Sequence, residues 1–291
     1  MTDLELQHAR HEKWRLDDKP IRTIEDSRRF IERVGICLMY PQRNLAPLPT
    51  FIGAFVGSDD HLPDWQHAFS DTRSAQATEL MVRLLRERAA YETNRLDENN
   101  GLLFAASVFP YFYALVGERN PKLPPSGGKA SPYSQLACDA YAVVEREGPV
   151  SRHVLMERLA GGLSIAAVDK ALSMLSFQLR ITRVDYSAGD GASWDVLQRW
   201  APDALREGIQ LSLPEALSAL VSRYVDCAVA AEPPEIESFF GHFVARSKIK
   251  DAVNALISAR ELSFVAISGR SMLQITPEKV AVVPPPQPVA R

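Results

Sequence analysis

The feature that most constrains this chain is a repeat. Val168 and Ile249 lie 81 residues apart, and Leu172 with Val253, Leu175 with Leu256 and Val184 with Val265 keep the same spacing. A constant offset between apolar positions implies two copies of one supersecondary unit, because the buried face of each copy must fall at equivalent places. Local signals agree. Residues 134–147 and 151–159 read as helices around Gly148-Pro149, and Ser164 caps a third helix over 165–177. A strand at 179–186, a glycine-bearing turn at 187–192 and a returning strand at 193–197 form a ribbon. The second copy reads as helices over 214–229, 235–240 and 246–259, then strands over 262–267 and 272–276. Three short helices and a two-stranded ribbon make the winged-helix plan. The expected class is therefore mainly α with small β-ribbons (α+β), built from tandem winged-helix domains.

Upstream, 26–33 predicts a helix capped by Asp26 or Ser27 and ended by Gly35, followed by an extended run over 36–41. Residues 71–88 predict an amphipathic helix with Ala77, Leu80, Met81, Leu84 and Leu85 inward. The uncharged stretch Gly101 to Gly117 has 17 residues and Pro110 near its centre. A membrane span needs about 20 apolar residues, so two buried core pieces broken at the proline are expected instead. The expected division is 1–125 (helical, winged-helix-like), a linker at 126–133, winged helices at 134–205 and 206–282, and a disordered proline-rich tail at 283–291.

Several chemistries lack their residues. Gly127-Gly128-Lys129 suggests a phosphate loop, but Leu123 stands where its first glycine belongs and Ala130 where a magnesium-binding hydroxyl belongs. Cys37, Cys138 and Cys227 are sparse and odd in number, which fits a reducing compartment and gives no Cys-x-x-Cys zinc pair. His8 and His11 share one helix face without a third ligand, and His61 and His67 flank Asp64-Trp65 without a metal pattern. No metal and no cofactor is expected. The polar first 20 residues predict no signal peptide, so the expectation is a cytoplasmic monomer with no membrane partner.

With 33 Lys+Arg against 36 Asp+Glu, the net charge is −3, so nucleic-acid binding requires local clustering of cations. Arg246, Lys248 and Lys250 crowd the start of the last helix and Arg260 closes it. The first copy offers Arg152, Lys170, Arg180 and Arg183, diluted by Asp169 and Asp185. These eight residues are the expected contacts to double-stranded DNA, intact or damaged.

The helix-then-strand run FIERVGICLMYP, the aromatic block VFPYFYALVG and the duplicated helical units resemble the crosslink-repair DNA glycosylase superfamily, the AlkZ/YcaQ-like winged-helix proteins. The resemblance spans residues 24–276. It implies tandem winged helices lining a DNA-binding concavity, and hydrolysis of the N-glycosidic bond of alkylated or crosslinked bases. Active members use Gln–apolar–Gln or Gln–apolar–Asp on the strand after an N-terminal helix, where two side chains on one face can hold a water. The matching run here is Leu38-Met39-Tyr40, and a shifted register through Gln42 and Asn44 still lacks an acid. The catalytic motif is therefore expected to be absent.

Three functions remain open on the sequence. One is a non-catalytic DNA-binding relative. The second is an active glycosylase using another carboxylate, such as Asp59, Asp60 or Asp64, and the third is a protein-interaction scaffold.

Overall fold

The computed structural model describes residues 2–17, 19–63, 70–97, 100–129, 131–159, 162–187 and 189–277. The proline-rich tail, Asp64, Trp65 and His67 lie outside them. After α1 (Asp3–Trp14) come α2 (Ile24–Val34), β1 (Ile36–Leu38), α3 (Phe51–Val56), α4 (Thr72–Arg86), β2 (Ala90–Thr93) and β3 (Leu102–Ala105). Past α5 (Phe109–Val116), the order repeats as α6 (Gln135–Glu147), β4 (Val150–Ser151), α7 (Arg152–Leu159), α8 (Ile165–Phe177), β5 (Ile181–Ser187) and β6 (Gly191–Val196). Two connecting helices, α9 (Leu197–Trp200) and α10 (Pro202–Gln210), lead to α11 (Leu213–Ala228), α12 (Pro233–Phe240), α13 (Arg246–Ser258), β7 (Leu262–Ile267) and β8 (Arg270–Ile275).

The 81-residue offset carries into the elements. α7 and α12 start at 152 and 233, and α8 and α13 at 165 and 246; β5 and β7 start at 181 and 262. Helix–strand–helix–helix–strand–strand also describes the first unit, and its sheet order, β1-β3-β2, matches β4-β6-β5 of the second. In the third unit the missing first strand is a single bridge, Ala231 to Leu273.

Local chemistry explains most boundaries and corrects some. Ser164 caps α8 through the Ala167 amide, as its sequence position predicts. For α2 the cap is Thr23 rather than Asp26 or Ser27, and Asp26 instead closes a capping box back to Thr23. The 101–117 stretch does divide into two buried pieces, β3 and α5. Pro110, however, begins α5 at its first turn, where a missing amide costs nothing, and the break falls before it. Among the described residues no helix is long and apolar enough to cross a membrane.

The first and third units share one apolar core. Phe104 of β3 stacks on Phe112 of α5 at 4.2 Å, Phe112 meets Phe243 edge-on at 5.3 Å, and Phe243 continues to Phe239 and Tyr224. The second unit keeps a separate core around Tyr141, Leu155, Leu172 and Leu175. α10 straddles the expected 205/206 boundary and belongs to the shared core through Leu205. The N-terminal arm is not merely a solvated surface: Arg10 donates to the carbonyls of Ala228 and Ala230, Lys13 to Asp226 and Trp14 to the carbonyl of Cys227. Helix α1 thereby supplies the carbonyls at the end of α11 with donors.

α10 approaches α5 through Gly208, where a Cβ would sit 2.7 Å from the Pro110 carbonyl oxygen and 3.1 Å from the Tyr113 ring. Helix propensity alone predicts that Gly208→Ala stabilises by about 1 kcal/mol. The backbone clash outweighs it, so the substitution should destabilise by about 1–3 kcal/mol in urea unfolding. A rise in stability would show that the two helices are not in contact.

Candidate nucleic-acid interface

The run at the position of the hydrolytic motif, Leu38-Met39-Tyr40, is built into the core. β1 ends at Leu38, and Leu38 and Tyr40 are 3% and 5% exposed. The strand ends at Leu38, and Met39 and Tyr40 lie outside it. The Tyr40 backbone is instead held by Asn100, whose Oδ1 accepts from the Tyr40 amide at 3.0 Å while its Nδ2 donates to the Tyr40 carbonyl at 2.8 Å. Asn44 of the shifted register is exposed, while the Gln42 side-chain oxygen is buried without a partner. Asp59 and Asp60 lie exposed on the surface, with Asp59 3.8 Å from His11. Burial pushes the Cys37 thiol up and Cys227 up to about 12, so neither supplies a thiolate. No cluster of three or more metal-ligating side chains occurs among the described residues.

The expected cations separate into three groups. Arg246 and Lys248 on α13 and Arg260 just past its end are exposed, with no ion-pair partner among the described residues, and Lys250 stands 3.8 Å from Glu237. The first turn of α13 holds no acid and its cap residue, Ala245, makes no side-chain bond. In the second unit, Arg152 pairs with Asp169 at 3.0 Å, while Lys170 is exposed without an ion-pair partner among the described residues. Arg180 and Arg183 do not belong to an open surface. Arg180 is 5% exposed, donates to the carbonyls of Pro121 and Leu123, and lies over the Tyr141 ring. It is occupied in pinning the inter-unit segment. Leu179, at φ +54°, turns the chain just before it, and the strand begins one residue later than Arg180. Arg183 donates to Glu92 Oε1 at 2.5 Å, and Glu92 is 7% exposed. A ribbon residue that would face solvent in an isolated unit here meets the first unit, because α4 and β2 pack on β5.

That packing creates the main cleft, a space of about 1170 Å³ between β2 and its loop on one side and α8 with the β5–β6 ribbon on the other. Glu92, Asn94, Lys170, Arg183 and Trp194 line it. The α13 cations do not. Sequence reasoning missed Glu92 and Asn94, which carry no motif; their setting exists only once Arg183 and Ser173 arrive from the second unit. Gly101 faces Glu92, where a Cβ would fall 2.1 Å from Oε1, so a side chain at 101 would displace the Glu92 carboxylate.

The family described as DNA glycosylase AlkZ-like matches residues 59–291. The chain belongs to the AlkZ-like DNA glycosylase family. No curated protein and no solved structure gives a significant match. Membership in the AlkZ-like family ties the chain to glycosylase-related DNA repair, and Leu38 and Tyr40 precede the matched residues.

The Glu92–Arg183 pair bridges two units of this AlkZ-like protein. Arg183→Met leaves a buried carboxylate uncompensated and should cost about 3 kcal/mol in denaturant unfolding. The double change Glu92→Met with Arg183→Met should recover most of it, since an apolar pair of similar volume carries no desolvation penalty. A double variant as unstable as the single one would refute this pairing.

Proposed function

We propose that the chain is a DNA-binding member of the AlkZ-like family that acts on duplex DNA, intact or damaged, without the family's hydrolytic motif. The three recurrent units are read as winged helices, with α13 and α8 as the helices that approach the duplex. The reading places the protein in the cytoplasm as a monomer. What carries it is the α13 cluster: Arg246, Lys248 and Arg260 are exposed cations that the fold leaves unpaired among the described residues. With no ion pair among the described residues, their charge is open to an outside partner. Phosphates would be met by those side chains, with the positive end of the α13 dipole adding to the attraction. Lys250, partly engaged by Glu237, is a weaker contributor, and Lys170 extends the surface on the second unit. The absence of hydrolysis is supported by the burial of Leu38 and Tyr40 and by their chemistry, since neither an alkyl group nor a neutral phenol stabilises a cationic sugar.

Two measurements test the reading. Removing one phosphate-neutralising side chain should flatten the slope of log affinity against log salt by about 0.9, so Arg246→Ala, Lys248→Ala and Lys250→Ala together should reduce it by about 2–3. An unchanged slope, or affinity that ignores salt, would favour a protein-interaction scaffold instead. The protein should also leave alkylated duplex intact; accumulation of abasic sites above the uncatalysed background would show an active glycosylase.

A further inference from the structure

The second and third units treat the same strand differently. β5 carries Arg183 and Asp185, has an irregular register between them, and is covered by α4 and β2 of the first unit. β7 begins 81 residues later and runs Leu-Ser-Phe-Val-Ala-Ile, without a charge, a proline or a register shift. Among the described residues it pairs on one side only, with β8. Strands left at an open edge are ordinarily guarded by charges, prolines or bulges, because their unpaired backbone invites another strand. Here the covered strand carries such guards and the open one lacks them. The ladder shows which groups are open. Leu273 exchanges both backbone bonds with Ala231, at 2.8 and 2.9 Å, so these groups turn away from β7. Its register partner Phe264 therefore sits in a non-hydrogen-bonded pair and, with Leu262 and Ala266, aims its N–H and C=O at the outer edge. No backbone bond beyond the ribbon engages these three among the described residues. Phe264, 58% exposed, and Ile275, 38% exposed, lie diagonally on one face of the ribbon.

The chain itself supplies a segment of matching character. The described residues end at Pro277, just after Thr276, whose amide donates to the Glu261 carbonyl beside the start of β7. Residues 278–291 follow. They contain Val280-Ala281-Val282-Val283, an uncharged run rich in β-branched side chains, and then Pro284-Pro285-Pro286. Reaching the far side of β7 from the end of β8 means crossing two strand spacings, about 10 Å. The steps from Thr276 to Val280 extend to about 13 Å, and Arg260 and Glu261, which that path passes, are exposed. We propose that Val280-Ala281-Val282-Val283 adds to the open edge of β7 as a third strand, parallel to β7, with Val280 and Val282 on the Phe264 face. The prolines that follow have no N–H, so the new edge is closed to further strands where they begin. This assignment stands apart from the DNA-binding reading and holds whether or not α13 meets a duplex.

Residue-resolved amide hydrogen exchange, measured by NMR without DNA, tests it. Phe264 and Ala266 should exchange about tenfold more slowly in the full chain than in a chain ending at Pro277, while Val265, already bonded within the ladder, should change by less than about twofold. A full-length variant carrying Val280→Asp and Val282→Asp should exchange like the shortened chain, which separates strand pairing from chain length and keeps the test open should the shortened chain fail to fold. Exchange at Phe264 and Ala266 that is equally fast in the full and shortened chains overturns the proposal. Slow exchange that survives the double substitution overturns it as well. Slow exchange that survives shortening and deepens with protein concentration gives the edge to a second copy of the chain and likewise overturns it.

Discussion

The structure depends on the aromatic contact that runs from the first unit to the third. Phe104, Phe112, Phe243, Phe239 and Tyr224 form a continuous stack of offset and edge-on rings, and the units they join are separated in sequence by the whole of the second. Each of these rings is buried or nearly so. A unit of this size, alone, has little apolar surface to bury against the entropy of ordering it. Fusing the first and third around α5 and α11 removes that weakness, and the second unit packs on the first through β5. The N-terminal helix α1 closes the arrangement by supplying donors to the end of α11 through Arg10, Lys13 and Trp14.

Once the first and third units are fixed, the second cannot present all of its surface to a ligand. Its ribbon strand β5 is covered by α4 and β2, which converts Arg183 from a surface cation into an internal one, while Arg180, just before the strand, is buried against the 121–123 segment and the Tyr141 ring. The same covering produces the cleft, and it brings Glu92 and Arg183 together from positions 91 residues apart. The α13 helix of the third unit escapes this burial and keeps Arg246, Lys248 and Arg260 in solvent. Cations on like units thus acquire different roles because their neighbours differ.

This divides what the sequence makes legible from what it hides. α8, α13 and β7 are readable because an amphipathic stripe, a cap residue or a glycine turn sits within each segment. The repeat is readable because apolar spacing survives when identities change. The start of α2 is misplaced from sequence because Asp26 serves equally well as a cap or as the third residue of a capping box, and only the geometry of Thr23 decides between them. The docking of α1, the fusion of the outer units and the Glu92 site depend on contacts between segments far apart in sequence, for which local periodicity carries no signal. Arg180 is assigned to DNA by the reasonable rule that arginines beside short ribbons face water, and the rule fails where the 121–123 carbonyls and the Tyr141 ring close over the side chain.

The central claim is that the exposed cations at the start of α13 face DNA. Amide hydrogen exchange, with and without a saturating paired duplex, tests it most directly. The account predicts slowed exchange at the first turn of α13, with α1 unchanged. Protection that spares α13, or no protection anywhere at saturating DNA, would contradict it.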